Sequence, residues 1–383
     1  MRRGGVSFGR RHGFRGIGGG YQTPTLDLFS GGTFTRSTEA SYLISAPTDG
    51  SSAFLAWAAT NARRIEDRGD GLGSMLLMEG ARTNLVTQSR NMGTSWTAGT
   101  ATLTVDDGNG PDATAVADRS NGASGQLSQY KNFGALTGRY IASAWARRRT
   151  GAGAGNAQYS VEEGAVIDGY VEALTETYER LSFARTFSGV DIAYYVPAEG
   201  RAGGPFSAAA VDHLLDLHQF EAGAFPSSAI RTTTAAVTRG ADVLSYAVGQ
   251  YSPTFLTRGF RFTFAPIYSS TELIAVGADT DARLFTTDAT TYIRLVISGG
   301  NCILQTNNGG GVAHNSTITF SRDQLITVTV EPTAGRTTVS GATTGNGTAS
   351  GNAASWVSAA MQVGGQSGSQ PSFSRFGRTV VGV

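Results

Sequence analysis

The sequence predicts an all-β protein: two β-sandwich or jelly-roll domains in tandem, after a short N-terminal β region and a flexible Arg/Gly arm. Three observations carry this expectation. Apolar and polar residues alternate with a period of two in many short runs, the signature of half-buried strands. Gly, at 52 of 383 residues, punctuates those runs, and short strands separated by frequent turns build sandwiches and jelly rolls. Charged residues are only 15% of the chain while 40% is hydrophobic, so there is a core to bury and no disordered polyelectrolyte.

A chain of this length exceeds one ordinary core. The expected division is an arm at 1–24, an N-terminal β attachment region at 25–85, one sandwich at 86–242 and a second at 243–383. The arm carries Arg2, Arg3, Arg10, Arg11 and Arg15, no acid, and eight glycines within its first 20 residues. It cannot bury enough surface to fold alone. It reads either as a solvated tail or as a segment that orders on a partner protein, with Phe8, Phe14 and Ile17 as anchors. An Arg/Gly arm also suits phosphates, which keeps nucleic acid as a minor alternative.

In the attachment region, Thr33–Arg36 and Ser41–Ile44 read as strand pieces, and Arg68–Gly73 as a turn cluster. In the next unit Thr102–Val105 alternates, Ile141, Ser143 and Trp145 share a face, and Ile192–Val196 is β-branched and aromatic. Residues 208–220 fit a strand or a helix by pattern alone. The last unit has the cleanest alternation. Phe260, Phe262 and Phe264 lie opposite Arg261 and Thr263, Ile293, Leu295 and Ile297 follow the same rule, and so do Ile326, Val328 and Val330. Gly299–Asn301 and Asn307–Gly310 supply turn chemistry between them.

The net charge of +1 exerts no whole-molecule pull on nucleic acid or membrane. Lys131 is the only lysine; the Arg bias reads as genome composition or as bidentate interface chemistry. Cys302 is alone, so no internal disulfide forms. No apolar run is long enough to span a bilayer, and the first 20 residues lack the apolar stretch of a secretory signal, so synthesis in a cytoplasm is expected.

Reactive constellations are not evident. His213 and His218 are five apart, which on a regular strand puts them on opposite faces. Glu162, Glu163, Glu176 and Glu179 offer carboxylates but no aromatic surroundings of the kind a glycosidase uses. The run Asp106–Asp112 could chelate a hard cation but lacks the downstream Glu of an EF-hand and reads as a tight turn; Asp279–Asp281 is a weaker case. No metal, cofactor or catalytic residue is assigned. Among aromatics placed to stack on a sugar ring, Trp356, Tyr268 and Tyr292 are the candidate glycan contacts, while Trp145, within an alternating strand, reads as core.

Two stretches resemble a family of phage virion fibre and spike proteins, found also in gene transfer agents. Leu76–Leu85, LLMEGARTNL, is similar to that family's LLIEGARTNLL segment. It is preceded by Thr33–Tyr42, which resembles an FTRAS-A-Y strand. It is followed by Trp96, and by Pro111 to Asp118, which match its W and PDG-TAD positions, with Ala113 where the family has Gly. Gln219–Ile230, QFEAGAFPSSAI, resembles QLEEGSFPTSYI, trailed by Val237–Asp242. The match spans about 33 to 242. It implies a carbohydrate-binding-module-like sandwich closed by a strand at 208–220, with a concanavalin-like sandwich after it. It implies a virion part assembled in the bacterial host cytoplasm, without catalytic residues. The expected function is a homotrimeric fibre or spike. It docks on other virion proteins through Arg2, Arg3, Phe8, Arg10, Arg11, Phe14 and Arg15, and binds host surface polysaccharide without cleaving it. The alternatives are an architectural connector, collar or head-decoration protein, and a depolymerase.

Overall fold

The structure, a computed structural model, describes residues 25–27, 32–43, 55–67, 74–122, 129–152, 156–195, 211–247, 250, 259–276, 282–287, 291–308, 312–331, 336–344, 361–363, 374–376 and 379–382. The arm residues and Trp356 lie outside them, as does Asp279–Asp281. The regular structure of the described chain is almost all strand, as the alternation predicts. The first strands are β1 (Thr25–Asp27), β2 (Thr33–Thr35), β3 (Ala40–Leu43), β4 (Leu55–Ala58), β5 (Arg64–Asp67) and β6 (Ser74–Met78). The middle of the chain forms β7 (Arg82–Asn84), β8 (Thr102–Gly108), β9 (Ala117–Gly122), β10 (Tyr130–Arg148), β11 (Asn156–Glu163), β12 (Val166–Ala173), β13 (Glu179–Tyr195), β14 (Val211–Ala222) and β15 (Val237–Arg239). The remainder forms β16 (Val243–Tyr246), β17 (Phe260–Pro266), helix α1 (Ser270–Val276), β18 (Ala282–Thr286), β19 (Thr291–Ser298), β20 (Asn301–Asn308), β21 (Val312–Thr319), β22 (Ile326–Glu331), β23 (Arg336–Ser340), β24 (Thr343–Thr344), β25 (Met361–Val363), β26 (Ser374–Phe376) and β27 (Thr379–Gly382).

Four strands of the region expected at 25–85 pair with the C-terminal sandwich, β1, β5 and β6 in one of its sheets and β2 in the other, while β3 and β4 form a two-stranded sheet of their own and β7 pairs with β15. One sheet runs β1-β27-β17-β26-β6-β5, with β22 and β23 joined through β17; the other runs β2-β16-β25-β18-β19-β20-β21-β24. Thr25 pairs with Val381, and Leu76 with Phe376, so the first and last described strands share one sheet. The core between the sheets is what the period-two runs dictate. Phe260, Phe262 and Phe264 point in from β17 and meet Phe285, Ile293, Leu295 and Leu304 from the facing sheet. Burying each such side chain is worth about 1.5–3 kcal/mol, and Cys302 is packed in the same core.

Residues between 82 and 239 are therefore an insertion into this terminal sandwich. The chain leaves through β7 and returns through β15, which pair with each other at Asn84–Val237, Thr83–Thr238 and Arg82–Arg239. The inserted module is a sheet ordered β12-β11-β13-β10-β14-β9-β8. Its long strands β10 and β13 bend at register shifts near Gly134 and Ala135, where Gly134, Gly138 and Gly189 take positive φ. Such bulges bend and twist a strand pair. Its own core packs Ala142, Ala144, Tyr159, Phe187, Tyr194, Leu215 and Phe220 together. Residues 211–222 are strand, as the resemblance implies.

The turn after Asp112 holds Ala113 in the left-handed region. Ala113 sits at φ 61° in a loop closed by Gly110 N–H to Thr114 O and Ala113 N–H to Gly110 O. The left-handed region costs a non-glycine residue roughly 1–2 kcal/mol, and glycine's extra unfolded-state freedom costs about 0.5–1 kcal/mol. Ala113→Gly is expected to stabilise the protein by up to about 1 kcal/mol, read as a rise in the urea midpoint; a fall of similar size would contradict the strained-turn reading.

Candidate binding cleft

Register places the cleft. In the antiparallel pair β10/β13, Trp145 lies opposite Arg180, Ser143 opposite Ser182 and Ile141 opposite Ala184. Directly paired residues project to the same face, so these side chains share the face of the inserted sheet opposite the one that carries Ala142, Ala144 and Phe220. That face turns toward the terminal sandwich and leaves a cavity of about 510 Å³ between them. Ile141, Trp145, Arg180, Ser182 and Ala184 form its floor. Phe225, Pro226, Ser228 and Ala229 form one wall, Ile267, Tyr268 and Arg322 another, and Ser41, Glu66 and Glu79 line the back.

The walls are held by polar contacts that the two family-like segments supply. Gly223 (φ 126°) turns the chain out of β14, with the Arg82 guanidinium packed where a side chain would stand. The Glu221 carboxylate accepts Ser227 N–H at 2.8 Å and the Ser227 hydroxyl at 2.7 Å, and burial raises its pKa. Gln219 Oε1 accepts Ile230 N–H at 2.6 Å. Asn84, fully buried, closes the loop: its amide donates to His218 O (2.9 Å) and Ile230 O (3.0 Å) and accepts from Val86 and Phe220 N–H, both at 3.0 Å. Tyr268 stacks on Phe225 at 3.9 Å between centroids and donates to Pro226 O at 2.9 Å. On the far wall Ser269 and Glu272 form a capping box at the start of α1, and Glu272 binds Arg322.

Behind the back wall lies a buried ion knot at the β7/β15 neck. Arg36, Arg64 and Arg239 surround Glu79 and Asp242. Arg36 reaches Asp242 at 3.2 Å and Arg64 reaches Glu79 at 2.5 Å, while the Arg64–Asp242 contact is shorter. Glu79 N–H donates to the Asp242 carboxylate and Asp242 N–H to Glu79 O, both at 2.8 Å. Ser228 and Ser41 join the knot to the loop: Ser228 N–H donates to Glu79 at 3.0 Å, and Ser41 Oγ accepts Ala229 N–H at 2.7 Å. The guanidiniums of Arg64 and Arg239 hold the Glu79 carboxyl well below the usual range despite its burial. A second ionic cluster fixes the side of the inserted module, where Asp112 accepts from Arg90 (2.8 Å), Arg231 (2.7 Å) and Trp57 Nε1 (2.9 Å), and Arg90 also binds Asp216. The cation at Asp112 is thus the protein's own guanidinium. Arg231 lies 3.6 Å above the Trp57 ring.

The other sequence candidates are distributed differently from expectation. Tyr292 is buried, with the Arg283 and Arg294 guanidiniums each 4.7 Å from its ring centroid and its hydroxyl on Gln305. It presents no free ring to a sugar. Tyr268 is also buried rather than exposed on a loop, and reaches the cleft only as part of its wall. Trp145, read as core, is core: it packs in a buried cluster with Leu55, Tyr178 and Leu214, and it also lines the cleft. Arg180 was not singled out, because a lone Arg in an ERLSF run reads as a solvated face. Glu163 is held by Ser188 and Arg185, Glu176 by Arg148 and Glu179 by Thr175.

His213 and His218 face the same side, not opposite sides. Between Trp145–Asp216 and Ser143–Gln219 the register slips, and Leu217 takes φ 53°. Both rings are buried without charge, His213 pushed down to about 4 and His218 to about 3 by desolvation. His218 Nδ1 shares a hydrogen bond with the Tyr194 hydroxyl at 3.1 Å, and its ring packs edge-on against Trp96. A pKa below the unfolded value of about 6.5 means that the unfolded chain takes the proton first. The stability these groups contribute is full above pH ~6.5 and is lost as pH falls toward 4 and 3. Asp118, raised to about 6 by burial, works in the opposite sense. His218→Phe should therefore flatten the loss of stability between pH 7 and 5 by about 2 kcal/mol relative to wild type. Parallel curves for the two proteins in urea titrations at both pH values would contradict it.

No protein-family model matches the chain, and no curated protein matches it. Among solved structures it is similar to the N-terminal CBM22-1–CBM22-2 tandem domain of Xyn10C from Paenibacillus barcinonensis, at 9% identity over 80% of this chain and 99% of that one, with a TM-score of 0.29.

Proposed function

We propose that the chain is a non-cleaving carbohydrate-binding component of a phage-like particle, a fibre or spike that meets host surface polysaccharide. The observation that carries the binding half is the cleft. A sugar needs an apolar surface for its ring face and convergent polar groups for its hydroxyls. Phe225 and Pro226, half-buried, offer the first, with Trp145, Ile141 and Tyr268 nearly buried in the lining; Ser182, Ser228, Arg180 and Arg322 offer the second. The volume suits one or two sugar units.

The particle half rests on the ordered series of family-like segments in the sequence. Docking on other virion proteins through Arg2, Arg3, Phe8, Arg10, Arg11, Phe14 and Arg15, and a homotrimer giving avidity to weak sites, belong to the same proposal. An architectural collar or head-decoration role is the second reading; the residues that the segments have in common with the family are mostly structural in this fold, which favours it where no glycan binds.

Binding of the purified full chain to host surface polysaccharide, with no release of reducing ends, is the expected result. Ala184→Trp, which places an indole on the cleft floor, should abolish binding while leaving the melting temperature near wild type. Unchanged binding by that folded variant would place the glycan elsewhere; new reducing ends would make the protein a depolymerase. Deleting residues 1–20 should block incorporation into particles without changing glycan binding.

A further inference from the structure

We infer that the protein carries a second, weaker saccharide site, a small cavity at the β7/β15 neck that holds one neutral sugar ring against Tyr140; the inference rests on reading the protein as a saccharide binder, but not on the cleft. The cavity measures about 240 Å³. Arg82, Thr83 and Leu85 bound it on the β7 side, Thr238 on β15, and Tyr140 and Ala222 on the inserted sheet. It shares no residue with the lining of the cleft. Tyr140 and Ile141 are neighbours on β10, so they project to opposite faces of the inserted sheet, one toward this cavity and the other toward the cleft.

The polar groups that meet there are hydroxyls with hydrogen-bonding capacity to spare. The Tyr140 ring lies nearly parallel to Phe220, 5.4 Å between centroids and 9° between planes, which fixes its direction. Its hydroxyl has no hydrogen-bond partner among the described residues and is not enclosed. The Thr83 and Thr238 hydroxyls bond to each other at 2.8 Å at solvent-exposed positions. One of the two donates, so the other's proton and lone pairs on both remain for a ligand. Arg82 is already engaged within the protein, its guanidinium packed against Gly223, so charge is not what the cavity offers. Leu85 and the ring of Tyr140, both partly exposed, supply an apolar surface for the C–H groups of a ring. Uncharged hydroxyls beside an aromatic ring match a neutral sugar, and a volume below the roughly 300–1,000 Å³ of drug-sized sites admits a single ring. One ring in so small a site binds at about millimolar strength. That is too weak to hold a polymer alone, so a blocked cleft still releases the polysaccharide.

The test uses the full chain and the methyl glycosides of glucose, galactose, mannose and N-acetylglucosamine in saturation-transfer NMR, with Ala184→Trp as the cleft-blocked background. At least one glycoside is expected to keep a saturable affinity of about 1 mM in that background. Adding Tyr140→Phe should weaken it roughly three- to tenfold, the scale of one neutral hydrogen bond. The melting temperature should not move, because the lost hydroxyl holds nothing within the protein. Adding Ala222→Trp, which fills the cavity from an exposed position, should abolish the binding. In the wild-type chain Ala222→Trp should reduce two saturable components to one, and this serves if the Ala184→Trp protein does not fold. A cleft-blocked protein that binds none of the four glycosides overturns the second site while the cleft stands. Binding that survives both added substitutions places the sugar elsewhere and overturns the assignment. A wild-type chain that takes up neither the glycosides nor the polysaccharide overturns both readings.

Discussion

Asp242→Asn is expected to cost about 3–5 kcal/mol, enough to leave the purified protein partly or wholly unfolded. The substitution keeps the shape of the side chain and removes one of the two carboxylates that neutralise Arg36, Arg64 and Arg239. All three arginines are essentially inaccessible to solvent, so none can recover its hydration when the partner is lost. The penalty of an uncompensated buried charge, rather than the worth of any one ion pair, sets this magnitude. Glu272→Gln, at the more exposed Arg322 pair, is the internal control and should cost no more than about 1 kcal/mol. Urea denaturation of both variants checks the contrast; similar small losses would mean that the knot is solvated.

Asn84→Ala is the second large effect, and it acts through hydrogen bonds alone. The amide satisfies two carbonyls and two N–H groups, from His218, Ile230, Val86 and Phe220, at a site without access to water. Each buried backbone group left without a partner costs on the order of 1–3 kcal/mol. The expected total is about 3–5 kcal/mol after relaxation, with the loss concentrated in the neck. Hydrogen exchange should accelerate first at residues 84–86 and 219–230, while the Phe260–Phe264 strand keeps its protection. Uniform acceleration across both modules would show that the neck and the terminal sandwich open as one unit.

These two residues show how far the sequence reads. The strands were legible wherever alternation met a one-sided core: Phe260, Phe262 and Phe264 face inward as their spacing requires. Glu79, Asn84 and Asp242 were visible as parts of family-like segments, but not as a cluster, since their partners stand up to 206 residues away in the chain. Arg64 carries no local signal of burial. In an ARRIED run it looks like surface charge, and only the pairing of β5 with β6 buries it.

The insertion was illegible for the same reason. Nothing local in Thr25–Asp27 announces that its partner is Thr379–Val381, so the first strands read as a separate region. The histidine faces were misread because they depend on one register slip at Leu217, a residue type with no preference for positive φ. The cleft follows the same logic: its floor and its walls come from different modules, and a sequence pattern shows each face without showing what it turns toward.

The proposed glycan site is the cleft between the inserted sheet and the terminal sandwich, and hydrogen–deuterium exchange with and without bound polysaccharide tests it most directly. Protection should appear at residues 141–145 and 180–184, at the 224–229 wall and at 267–268, with no shortening of the glycan during the incubation. Protection confined to other surfaces, or a glycan recovered in shorter pieces, would contradict it.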